Sequence, residues 1–271
     1  MTGVELHHGA ATDVGRVREV NEDAFLVAPP VFVVADGMGG HADGGAASRI
    51  VVEEFARVAE QGYDPTHGTD VVAATLESSQ RRISELAARG DAGLRRTPGT
   101  TVVAALLVED GGAPAWLLAN LGDSRIYRVS DGVLEQVSTD HSVVQELIDS
   151  GEITPDQAAQ HPERHVITRA LGGPRLEEAD YFLVPVRSAD RLLLCSDGIS
   201  GLVDDPGIAT ILTRSVDPRD AADRLVAAAL ESGGDDNATA VVVDVVGLVP
   251  DQAYDSERQR VSLEQKLGAL P

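Results

Sequence analysis

Apolar residues fall along this chain in two rhythms. Short runs rich in Val, Leu and Ala, bounded by turn residues, predict buried strands at 31–35, 101–108, 115–121, 125–129, 191–195 and 238–246. Three other segments repeat at helical spacing. Ala47, Val51, Phe55 and Val58 share one face; Val72, Leu76, Ile83 and Leu86 share a second; Ala221, Leu225 and Ala228 line a third, behind Pro218 at a helix start. Residues 140–151 predict a further short helix that ends at Gly151.

The strands arrive in groups and so do the helices. This is not strict βαβ alternation, and it predicts an α+β fold with antiparallel sheets covered by helices. WLLANLGDSRIYRV predicts two strands joined through Gly122-Asp123-Ser124. Residues 139–173 are polar and carry several histidines, so they predict an insertion lying over the sheet. Beyond Pro250 the pattern fades into charge. The division expected is a main domain over 1–250 and a polar C-terminal tail over 251–271.

Composition narrows the function classes. The chain has 271 residues, enough for one large domain, and aromatics make up only 3%, so its packing must rest on aliphatic side chains. Its 22 basic residues against 44 acidic ones give a formal net charge of −22. Nucleic-acid binding, which depends on neutralising phosphates, is disfavoured, and so is adhesion to anionic membranes. The one cysteine, Cys195, sits in the apolar run LLLCS and reads as core. With no partner for a disulfide, it fits a reducing compartment. The N-terminus lacks the regions of a signal peptide, and no apolar run approaches the ~20 residues that span a bilayer. A soluble, cytoplasmic protein is expected.

Acidic residues mark the mouths of the apolar runs. Asp36 directly follows FVVA, Asp197 follows LLLCS, Asp236 sits just before ATAVVVDVV, and Asp123 lies at the strand junction. Singly, each reads as a turn residue. Together, on antiparallel strands, they would converge on one rim and repel unless cations lay between them. A donor set made only of oxygens selects hard ions such as Mg²⁺ or Mn²⁺. The glycines after Asp36 would let the backbone come close to an ion or anion. In GRVREVNEDAF, Arg18 offers a planar fork suited to phosphate, and Glu22 and Asp23 add carboxylates.

Seven motifs occur in one order: GRVREVNEDAF, VVADGMGGH, GTTVVAALL, LANLGDSRIYRV, STDHSVVQELIDSGEI, LLLCSDGISGLV and GDDNATAVVV. In this set, running from about Thr12 to Val246, the chain resembles the protein phosphatase 2C family, the metal-dependent serine/threonine phosphatases, in their compact bacterial form. The resemblance implies a four-layer α-β-β-α sandwich with the metals at one end. Asp36 corresponds to an aspartate that bridges two Mn²⁺ or Mg²⁺ ions, and the Gly37 carbonyl to a ligand of the second. Asp197 and Asp236 correspond to further ligands of the first ion, and Glu22, through water, to the second, with Asp23 beside it. Asp123, with Asp197, matches a weaker third-ion position. Arg18 matches a phosphate-gripping arginine, and Thr139 to about Arg169 a flap over the site.

The implied activity is dephosphorylation of phosphoserine and phosphothreonine in proteins, by a metal-activated water attacking phosphorus in line. Implied partners are phosphorylated proteins, with a serine/threonine kinase opposed by this activity and itself a substrate, and the chain is expected to be a monomer. One departure stands out. Many eukaryotic members carry a histidine, assigned as general acid, where this chain has Met38, which has no proton to give. A metal-bound water or His41 is left to protonate the leaving oxygen; His41 also reads as a loop residue capping backbone groups. His141, His161 and His165 read as local structure or substrate contacts. Two alternatives stay open: a fold that binds without catalysis, and an enzyme restricted to regulators of transcription such as anti-sigma-factor antagonists.

Overall fold

The computed structural model describes residues 3–39, 43–89, 97–158 and 160–249. The expected tail over 251–271 and His41 lie outside the described residues.

Two five-stranded antiparallel sheets stack face to face. In chain order the strands are β1 (Gly3–Asp13), β2 (Ala24–Ala28), β3 (Val31–Ala35), β4 (Gly37–Met38), β5 (Gly99–Thr100), β6 (Val102–Asp110), β7 (Ala113–Leu121), β8 (Arg125–Ser130), β9 (Val133–Gln136), β10 (Asp180–Pro185), β11 (Arg191–Cys195) and β12 (Ala238–Val249). One sheet has the order β1-β12-β11-β8-β9, the other β10-β7-β6-β3-β2, and β4 pairs with β5 apart from both. The helices are α1 (Asp43–Gln61), α2 (Gly68–Arg89), α3 (Val143–Asp149), α4 (Pro155–Ala158), α5 (Asp197–Ser200), α6 (Asp205–Arg214) and α7 (Pro218–Glu231).

The central strands are apolar on both faces because both faces are covered. Phe32, Val34, Trp116, Leu118, Leu192, Leu194, Val241 and Val243 fill the space between the sheets. The alternate residues Val31, Val33, Leu106 and Leu117 face α1 and α2. On the far side Leu193, Val242 and Ala240 pack with α6 and α7. Each fully buried Val or Leu contributes about 1.5–3 kcal/mol, so the aliphatic core carries a fold that has few aromatics. The four-layer order is the one expected.

Local signals set the helix starts. Asp217 caps α7, accepting from Arg219 N ahead of Pro218, and Asp204 caps α6 from Gly207 N. The helix expected from residue 140 is shorter and starts later. Ser142 is its cap, and the two residues before it are committed elsewhere: Asp140 to the Arg125 guanidinium and His141 to Gly122. The polar stretch leaves the sheets between β9 and β10, as expected, and its end is pinned where Leu171 bridges Thr100 and Gln80 bonds Gly172 and Gly173.

Candidate metal centre

β3 and β11 end on one rim, where β12 begins; Cys195 pairs with Ala240 across the antiparallel β11–β12 ladder. Asp36 and Asp197 follow the two strand ends directly, and Asp236 lies two residues before the start of β12. Asp36 and Asp197 share a hydrogen bond, and Asp23 and Asp123 lie close enough to repel Asp36. Asp236 in turn lies close enough to Asp197 to repel it.

Backbone contacts hold Asp36. Its carbonyl accepts from Thr101 N (2.9 Å) and Thr100 Oγ1 (2.8 Å), and its N–H donates to Thr101 Oγ1 at 3.0 Å. Thr101 Oγ1 in turn meets Ser124 Oγ at 2.7 Å, which ties Asp36 to the turn carrying Asp123. Asp23 is buried; its Oδ2 accepts from Ser196 Oγ (2.8 Å) and Thr239 Oγ1 (2.6 Å).

The electrostatics follow from placing like charges in a dry rim. Burial first, then the charges of Asp23, Asp197 and Asp123, hold the Asp36 carboxyl well above the usual range. Burial and then Asp197 raise Asp123; burial and then Asp236 raise Asp197, opposed by the Asp36 hydrogen bond, His165 and Arg18. Burial pushes Asp23 up to about 7 against the pull of its two hydroxyl donors.

The oxygens of Asp23 (Oδ1) and Asp123 (Oδ1) are buried with no hydrogen-bond partner. Buried polar atoms without partners are rare and costly, and here they sit where negative charge is in excess. Among the described residues no three His, Cys, Asp or Glu side chains stand close enough together to hold a metal ion as they are placed. Carboxylates buried this close together repel one another. Oxygen-only donors, two of them unpartnered, fit a hard divalent cation.

The loop 14–23 brings the remaining expected residues to the rim. Arg18 Nη2 donates to Asp236 Oδ2 at 2.7 Å, so the expected phosphate fork rests on an expected metal ligand. Glu22 lies on the α1 side, its Oε1 accepting from Gly45 N at 3.3 Å. A side chain on Gly37 would strike the carbonyls of Glu22 and Gly44. The glycine is therefore needed to let β4 pass under the start of α1, which puts Gly37 beside Glu22.

Several residues at this site had no role assigned from the sequence. Asn237 staples the loop: its Nδ2 donates to Val14 O (2.9 Å) and Val20 O (3.1 Å), and its Oδ1 accepts from Glu22 N (2.8 Å). Thr100, Thr101, Ser124, Ser196 and Thr239 orient the acids. Ser124, Ser196, Asn237 and Thr239 stand in the quoted motifs close to aspartates, and that proximity was the available signal; Thr100 and Thr101 stand in GTTVVAALL, which has no acid. His141 is buried, His161 accepts from Glu163 N (3.2 Å), and His165 is exposed in the field of Asp197.

A double sheet with an acid-lined rim and an oxygen-only donor set is the architecture of a metallophosphatase. The chain belongs to the protein phosphatase 2C family, whose model matches residues 15–232. It is 38% identical over 246 residues to the serine/threonine protein phosphatase PstP of Mycobacterium tuberculosis; the match takes in 89% of this chain and 45% of that relative's length. It is 34% identical over 250 residues to the serine/threonine phosphatase stp of Listeria innocua, with 88% and 96% covered. Among solved structures, M. tuberculosis PstP superposes with a TM-score of 0.82 at 36% identity, covering 90% of this chain and all of that one. The PstP catalytic domain in complex with two manganese ions gives 0.80 at 35% identity, with the same coverage.

Proposed function

We propose that this chain hydrolyses phosphoserine and phosphothreonine esters of proteins, using divalent cations held at the rim. The observation that carries the reading is the gathering of Asp36, Asp197, Asp23 and Asp123, each raised by burial first and then by the charge of a neighbouring acid, with two partnerless oxygens among them. Asp36, Asp197 and Asp236 would hold one ion. Asp36, the Gly37 carbonyl and Glu22 would hold a second, and Asp123 with Asp197 a weaker third. Asp23 supports the site from behind through Ser196 and Thr239.

When bound, Mn²⁺ or Mg²⁺ lowers the pKa of water and neutralises phosphoryl charge. The chain's own part is positioning and charge. Arg18 must leave Asp236 to grip phosphoryl oxygens as two parallel hydrogen bonds. Thr100 and Thr101 keep Asp36 from turning outward. No thiol takes part, since burial pushes the Cys195 thiol up to about 12. Met38 gives no proton, and His41 or a water would protonate the leaving oxygen.

The catalytic unit on this reading is residues 1–250, with 251–271 as an appended tail. Phosphorylated proteins are the partners, and a serine/threonine kinase is the source of the phosphate and itself a substrate of the same chemistry. Among the described residues no helix is long and apolar enough to cross a membrane. The single cysteine supports a cytoplasmic setting, and a monomer is the working state.

The test is phosphate release from a phosphothreonine peptide by purified protein, with Mn²⁺, with Mg²⁺ and with a chelator. Metal-dependent release that the chelator abolishes is expected. A folded protein inactive with every divalent ion would leave only a binding module.

A further inference from the structure

His141 links the polar stretch to the turn that carries Asp123. Its backbone N–H donates to Gly122 O at 2.9 Å, and Gly122 N–H donates back to His141 Nδ1 at 3.1 Å. Its carbonyl accepts from Thr168 N at 2.9 Å, at the far end of the same stretch. Its Nε2 lies 3.2 Å from Asp180 Oδ2 on β10, beside Arg169, which itself pairs with Asp180 at 3.3 Å. Arg169 Nη1 also lies 3.4 Å from Nε2, so that nitrogen faces a guanidinium as well as the Asp180 carboxylate, while Nδ1 accepts from Gly122.

The turn that His141 grips has no slack elsewhere. Gly122 has φ +121° and its Cα faces the Thr101 side chain, so a Cβ there would clash. Next to it Asp123 is buried with one oxygen unpartnered and like charge around it. A carboxylate in that state turns outward to water unless its backbone is clamped. On the other side Ser124 bonds Thr101, and Thr101 holds Asp36.

We propose that His141 is a positioning residue for the proposed reaction: it clamps the Gly122-Asp123 turn and ties the base of the 139–173 stretch to the rim acids. The inference rests on the phosphatase reading and names a residue through which that stretch reaches the Gly122-Asp123 turn. Residues that orient metal ligands from behind commonly change affinity or activity by about 10–100-fold when removed.

The test compares His141→Ala, His141→Asn and His141→Gln in the full chain. Kinetics on a phosphothreonine peptide are read together with Mn²⁺ binding by calorimetry. His141→Ala is expected to lower kcat by about tenfold or more with KM changed by less than about threefold, and to weaken Mn²⁺ binding by about tenfold. Asn places an acceptor where Nδ1 stood and should restore most of both; Gln places its amide near the Nε2 side and should not. Ala matching the unaltered protein in both readouts would overturn the proposal, and so would equal values for Asn and Gln. If the Ala variant fails to fold, the Asn and Gln pair still decides. If the unaltered protein is inactive with every ion, the phosphatase reading fails, while calorimetry still reports whether His141 sets the ion site.

Discussion

The guanidinium of Arg18 sits 2.7 Å from the carboxylate of Asp236, so the cation proposed to grip phosphate and an acid proposed to hold a metal neutralise each other. Both side chains are substantially exposed, 53% and 36%, and an ion pair of that kind contributes about 0–1 kcal/mol. It can therefore be released cheaply when an ion takes Asp236 and a phosphate takes Arg18. Arg18→Ala should leave the melting temperature within about 3 °C, which is what ~1 kcal/mol moves in a domain this size. It should lower kcat/KM by about 100-fold or more, the usual cost of losing one fixed donor to developing charge. Arg18→Lys keeps the charge and loses the fork, and should recover only part. A peptide-hydrolysis series with thermal melts checks both; undiminished activity in Arg18→Ala would remove it from the site.

Asp36 and Asp197 test the ion site itself. Each is buried among like charges, so each Asn variant relieves repulsion while deleting a ligand. In chelator, Asp36→Asn should be at least as stable as the unaltered protein. With Mn²⁺ present at about 100 times its dissociation constant, the unaltered protein should gain about 2.7 kcal/mol, or roughly 5–10 °C. Asp36→Asn and Asp197→Asn should gain little and turn over no substrate. Melts with and without Mn²⁺ separate the outcomes, and an equal gain in all three proteins would place the ions elsewhere.

Asn237 lies beneath the loop that presents Arg18 and Glu22, and three hydrogen bonds converge on its amide. Asn237→Ala strands two carbonyls and one N–H, at a cost of about 1–3 kcal/mol. A drop of about 3–10 °C in melting temperature is expected, with a larger proportional loss of kcat/KM because Arg18 and Glu22 lose their register. Asn237→Asp keeps the acceptor for Glu22 N but sets a charge beside Asp236, and should fare no better. If melting and activity are both unchanged, the loop is held by something else.

The strands between the sheets and the helices α1, α2 and α7 were legible because burial on both faces leaves continuous aliphatic runs and 3.6-residue stripes. The edges were not. β1, with its polar side chains in GVELHHGAATD, pairs with β12 along its whole length, yet no apolar run marks it. β10 alternates exposed and half-buried residues at the other sheet's edge, and α6 is short. The same physics divides the site. Aspartates at the ends of apolar runs stand out against their neighbours, whereas Thr101, Asn237 and His141 act through partners 65, 215 and 19 residues away in the chain, and only the folded arrangement brings those together.

The acid cluster also makes the metal-free protein sensitive to pH in one direction. Asp23 is raised from 3.8 to about 7 by burial, and Asp36 is raised as well. An acid whose folded pKa lies above its unfolded value binds its proton more tightly when folded. Its contribution is fully present below about pH 4 and is lost as pH rises through about 7. Asp23→Asn keeps an oxygen for the Ser196 and Thr239 hydroxyls and never ionises. In chelator, its melting temperature minus that of the unaltered protein should therefore grow from about pH 4 to about pH 7 and level off above. Saturating Mn²⁺ should shrink the difference at the upper end, because cations replace the protons that the cluster shares. A series of melts from pH 4.5 to 8.5 measures it, and a difference that is constant with pH would mean that Asp23 ionises as freely in the fold as in the open chain.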